Sequence, residues 1–115
     1  MFNDSNCKVM LSDGSLVFNC TVADSFFTKL IGLMFKRDFS YNALLFRDCF
    51  WMHSYFCLVN FNIVFLDKNF NVINSFYNVP PNRILKPVWG AKYVIEFFDN
   101  NIKFEKGQKL LVEGL

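Results

Sequence analysis

The chain has 115 residues, of which 53% are hydrophobic and 16 are Phe, and its 12 basic and 10 acidic side chains leave a net charge of +2. That length fits one core of ordinary domain size, able to stay folded without disulfides or a structural metal. Charges spread without blocks argue against a dedicated nucleic-acid or anionic-membrane face, and no apolar run approaches the ~18 residues of a membrane span.

The opening residues, Met1 to Asn6, lack the basic start and apolar stretch of a signal peptide, so a cytoplasmic protein is expected. Its four cysteines, Cys7, Cys20, Cys49 and Cys57, are then expected as thiols. Cys7 to Leu11, the Ser12-Asp-Gly-Ser15 turn and Leu16 to Val22 read as a hairpin. Asp24 can cap a helix over residues 25–36, in which Phe27, Leu30, Ile31 and Met34 recur at helical spacing. Ala43 to Phe46 and Cys49 to Leu58 read as extended, and the apolar run Phe61 to Leu66 suits a central strand paired with Asn71 to Tyr77. Pro80, Pro81 and Pro87 make Val79 to Val88 a loop, after which Lys92 to Phe98 and Lys109 to Glu113 complete the strands, with a turn at Gly107. The sum is an α+β fold over residues 1–115. It is a single compact, β-rich domain with a mixed or antiparallel barrel-like sheet and one main helix near 25–36.

The order of several short segments carries a resemblance. They are Ala23-Asp24, Gly32-Leu-Met-Phe35 with Arg37, Ala43-Leu-Leu-Phe46, Cys49, His53-Ser54 and Phe56, then Ile63-Val-Phe-Leu-Asp67, Pro80, Tyr93-Val-Ile-Glu96 and Gly107. From Val22 to Val112 the chain resembles a small bacterial and archaeal family, the domain of unknown function 192. The resemblance implies a compact β-rich bacterial domain and no established reaction. The family's pattern has Thr where Ser54 stands, Met at Cys57, Pro at Asn60 and Asp at Asn62. A carboxylate at that last position could accept a proton or hold a metal; an amide cannot take the proton.

Several residues bear on chemistry. Cys49, His53 and Cys57 are spaced by four, a spacing that aligns them on a strand or a helix. Two thiols and an imidazole suit zinc, but strand neighbours four apart are ~13 Å apart end to end, and Cys is commonly a small buried apolar residue. Cys57 with His53 as base would be a nucleophile, although no hydrolase signature surrounds it. His53 alone could bind or sense pH. Trp51, Tyr55 and Trp89 could stack on a planar ligand or fill the core. Arg37 could hold an anion or cap helix carbonyls. Asn62, within an apolar strand, is either a polar anchor or a pocket residue. Arg83 lies in the Pro80 to Lys86 loop, the most plausible mobile element.

The reading is a non-enzymatic domain that binds a small molecule or a protein, with Arg37, Trp51, His53, Ser54, Asn62 and Arg83 as candidate contacts. No cofactor, nucleic acid or membrane partner is expected, and the protein is expected to be a monomer. A Cys/His-dependent enzyme, a metal-binding domain using Cys49, His53 and Cys57, and an interaction module remain as alternatives.

Overall fold

A computed structural model describes residues 6–23, 43–51 and 60–115. Seven strands make one sheet: β1 (Asn6–Leu11), β2 (Leu16–Ala23), β3 (Ala43–Arg47), β4 (Phe61–Leu66), β5 (Val72–Val79), β6 (Tyr93–Phe97) and β7 (Leu110–Glu113). Their order across the sheet is β5-β4-β6-β3-β2-β1-β7. All neighbours are antiparallel except β2 and β3, which run parallel.

Local chemistry accounts for the two hairpins. In the first, the Asp13 carboxylate accepts the Ser15 N–H at 2.8 Å and Gly14 takes a φ of 91°, a conformation that costs a residue with a Cβ. In the second, the Asp67 carboxylate accepts the N–H groups of Asn69 at 2.8 Å and Asn71 at 3.0 Å and the Asn71 side-chain amide at 3.2 Å. Desolvation works against ionised Asp67, but these donors outweigh it and hold the carboxyl below its usual range.

The two outermost strands of the order meet at one end. Val72 donates to Gln108 O at 2.8 Å, Gly107 to Val72 O at 2.7 Å and Leu110 to Phe70 O at 3.0 Å, with a bridge between Asn71 and Lys109. The sheet therefore curls into a half-barrel, and all seven strands send side chains into its concave core. Phe18, Phe97 and Phe104 meet there with ring centroids 4.9 to 6.1 Å apart, in the tilted and edge-on arrangements that aromatic quadrupoles favour. A second apolar cluster covers the convex face of β3, β4, β5 and β6, where Leu85, Val88 and Ala91 pack on Leu44, Ile63, Phe65 and Val94. Because both faces of β4 are covered, its six residues are all buried, which explains its unbroken apolar run.

These findings correct the α+β expectation. The described residues form a β fold with no helix among them. Among the described residues, the strands with Phe104 make the concave contacts, and the strands with the loop after β5 make the convex ones. The segment 25–36 lies outside the described residues, as does 52–58 of the extended stretch expected after Cys49. No helix among the described residues is long and apolar enough to cross a membrane.

Candidate functional site

The loop from Pro80 to Ala91 is a strap across the convex face, and the chain leaving β3 fastens it. Val88 donates to Phe50 O at 2.7 Å, the Trp51 indole Nε1–H donates to Leu85 O at 2.7 Å, and Cys49 N–H reaches Lys92 O at 3.2 Å. Asp48 pairs with Lys92, and that hydrogen-bonded contact raises the lysine pKa. The buried anchors of the strap, Val88 and half-buried Leu85, are apolar, so its polar backbone finds these partners or water.

What this arrangement leaves outside is aromatic. The Phe50 and Trp89 rings stack with centroids 5.0 Å apart, and Trp89 is 76% exposed. Trp51, with its N–H spent on Leu85, is still 46% exposed, and Ile84, which precedes that acceptor in the strap, is 57% exposed. Scattered apolar residues on a surface are ordinary, whereas large contiguous apolar patches mark interaction sites. Arg83 and Lys86 lie on the same strap, both exposed.

The candidate residues thus divide. Trp51 and Arg83 sit at the strap. Arg37, His53, Ser54 and Cys57 lie outside the described residues, although His53 follows Trp51 by two positions. Cys49 is half-buried and its thiol donates to Trp51 O at 3.4 Å.

Asn62 is fully buried and spent within the fold. Its Oδ1 accepts the Asn78 N–H at 2.8 Å, and its Nδ2 donates to Asn100 Oδ1 at 3.2 Å. The pairing of β4 with β5 slips between Phe61–Val79 and Ile63–Phe76, and Asn78 takes a φ of 55°. The amide oxygen replaces the ladder acceptor that this bulge removes.

One residue with distinctive electrostatics was not among the candidate contacts, although its segment Tyr93-Val-Ile-Glu96 carries the resemblance. Glu96, on the central strand β6, is 3% exposed, and its Oε2 is buried with no hydrogen-bond partner among the described residues. Its neighbours in register are Leu44 on β3 and Ile63 on β4, on the convex face. Burial pushes its pKa up to about 8, so at neutral pH it is largely a neutral acid, able to donate a hydrogen bond or a proton. An acid inside Tyr-Val-Ile-Glu-Phe-Phe was the available signal, but strand alternation reads such a position as outward-facing. Elsewhere, a surface groove of about 310 Å³ between Leu16, Val17 and Ile102 to Phe104 offers, among the described residues, only Lys103 as a charged group. That ammonium already lies 4.0 Å from the Tyr77 ring centre.

Comparison with known proteins places this geometry. The model of the family DUF192, described as Uncharacterized ACR, matches residues 8–110. The UPF0127 protein PH1112 of Pyrococcus horikoshii is 36% identical over 98 residues, covering 77% of this chain and 83% of its own. A crystal structure from Sinorhizobium meliloti, named as a candidate transcription regulator, superposes with a TM-score of 0.78 at 18% identity, over 99% of this chain and 97% of that one. A protein of unknown function from Novosphingobium aromaticivorans gives 0.72 at 21% identity, over 92% of this chain and 83% of that one. These two share the fold. With a family model spanning most of its length and a relative at 36% identity, the chain belongs to the uncharacterised DUF192 family.

Proposed function

We propose that the protein is a non-enzymatic binding domain for a planar, anionic small molecule, held against the aromatic surface of Phe50, Trp51 and Trp89. Arg37, His53, Ser54 and Arg83 are its polar contacts in this reading; Asn62 supports the fold beneath. The supporting observation is the exposed Phe50–Trp89 stack beside a Trp51 whose indole N–H is tied to the strap. A ring fixed at its edge and a stacked pair held at the surface are pre-organised, and fixed aromatic faces bind at low entropic cost. A cytoplasmic location and a monomeric state go with it. A nucleic-acid partner does not, because a net charge of +2 without clusters supplies little attraction for phosphates.

The test is a thermal-shift and tryptophan-fluorescence screen against nucleoside monophosphates, flavin mononucleotide and aromatic carboxylates. At least one of these is expected to stabilise the protein and quench its fluorescence. Trp89→Ala is expected to leave the fold intact and weaken that ligand about tenfold, since stacking on one aromatic face is worth ~1–3 kcal/mol. Substituting Arg37 and His53 together is expected to abolish the shift with an unchanged far-ultraviolet spectrum. No stabilising compound in the panel, or unfolding of the double variant, overturns the reading.

A further inference from the structure

Two of the described thiols have a geometry that the aromatic site leaves unused. Cys7 on β1 and Cys20 on β2 are directly opposite each other in an antiparallel pair. Both are 1% exposed, both side chains enter the concave core, and both are free thiols. Directly opposite residues in such a pair have Cα atoms ~4.5–5.5 Å apart, inside the ~4.4–6.8 Å span of disulfides. Their Cβ separation of ~4.5–5.5 Å starts at the upper end of the disulfide range, so closing the bond draws the strands together.

We infer that Cys7 and Cys20 are a cross-strand redox pair, a modification site that a low-molecular-weight disulfide oxidises to a reversible β1–β2 bridge. The two sulfurs are not equivalent. The Cys20 thiol facing the Cys7 sulfur favours the Cys7 thiolate over its own desolvation, and the Arg47 guanidinium adds to this. The same contact, together with burial, pushes the Cys20 pKa up. Cys7 is therefore the attacking sulfur. Access comes from the strand end: β7 pairs with β1 only from Lys8 onward, so Cys7 lies beyond that ladder, where local opening is cheapest.

In the first step the Cys7 thiolate attacks one sulfur of the small disulfide, forming a mixed disulfide and releasing one thiolate, which takes a proton. The Cys20 sulfur then loses its proton and attacks the Cys7 sulfur, expelling the second small thiol. Two protein thiols give up two electrons and two protons in all, and one disulfide becomes two thiols. A bridge that pulls two strands together stores strain, so a thiol reductant reopens it.

The test uses the intact protein at neutral pH with an excess of oxidised glutathione, followed by alkylation and unreduced proteolysis with mass spectrometry. The expected product is lighter by two hydrogens and yields one cross-linked peptide pair joining Cys7 to Cys20; dithiothreitol reverses it. In urea, bridges to Cys49 and Cys57 are expected beside it, because the register that selects the pair is gone. Cys20→Ala is expected to trap glutathione on Cys7. Recovery of Cys7 and Cys20 as alkylated thiols in the wild-type protein, or as unresolved glutathione adducts, overturns the inference without reference to any variant. So does a dominant bridge to another cysteine in the folded protein.

Discussion

Glu96 is the residue whose chemistry departs most from its type. Leu44 and Ile63 flank it in register and offer no charge or donor, so burial acts unopposed and holds its pKa at about 8. The unfolded chain releases that proton near the ordinary Glu value of ~4.3. Between those two values the native state keeps a proton the unfolded state has lost, so stability falls as pH rises through the window and levels off above about 8. The full loss across the window is at most about 5 kcal/mol. Glu96→Gln, a neutral side chain of the same shape, is expected to remove this slope, leaving an offset that does not depend on pH. Denaturant unfolding of both proteins at pH ~5 and ~9 measures it. Equal slopes for variant and wild type would show that the carboxyl ionises within the fold. Asn62, a polar residue of the neighbouring strand β4, behaves oppositely: it is as buried as Glu96 but has partners at both ends of its amide.

The strap is the element on which the aromatic site stands, and Trp51 is one of its fastenings. Trp51→Phe keeps a ring but removes the donor to Leu85 O, a bond expected to contribute ~1 kcal/mol. Global stability is expected to fall by about that amount, with faster amide exchange at Val88, whose N–H is the neighbouring fastening to Phe50. Unchanged exchange at Val88 would mean that the strap stands without the indole. Elements of this kind were legible in part. Turn residues and apolar runs are local signals, so Asp13-Gly14, Asp67 to Asn71 and the six-residue β4 announce themselves. The insertion of β6 between β3 and β4, and the parallel pairing of β2 with β3, do not, because each joins segments far apart in sequence. The same limit hid Glu96: its burial depends on two strands that flank it only after folding. Helical spacing in Phe27, Leu30, Ile31 and Met34 suggested an α+β class, whereas the described architecture is entirely strand and loop.

At the scale of the molecule, two sets of contacts close the seam of the half-barrel, besides the Lys109 ammonium that donates to Asn69 O. One is the group of backbone bonds that joins Phe70 and Val72 to Gly107, Gln108 and Leu110. The other is a single hydroxyl: Tyr77 Oη on β5 accepts the Phe104 N–H at 2.8 Å and donates to Phe104 O at 3.4 Å. That hydroxyl secures the segment before β7, whose Phe104 ring fills the concave core against Phe18 and Phe97. Tyr77→Phe keeps the ring contacts with Phe97 and Lys103 but strands a part-buried N–H, which costs ~1–3 kcal/mol. The melting temperature is expected to fall by about 5–15 °C, the shift that such a loss produces in a domain near 100 residues. The pattern of the loss carries more than its size. If the hydroxyl holds the seam, amide exchange rises at Gly107 and Leu110, and protection of the β4–β6 ladder, one strand inside the β5 edge, is retained. Uniform loss of protection across all seven strands would make the barrel one cooperative unit in which the seam has no separate opening.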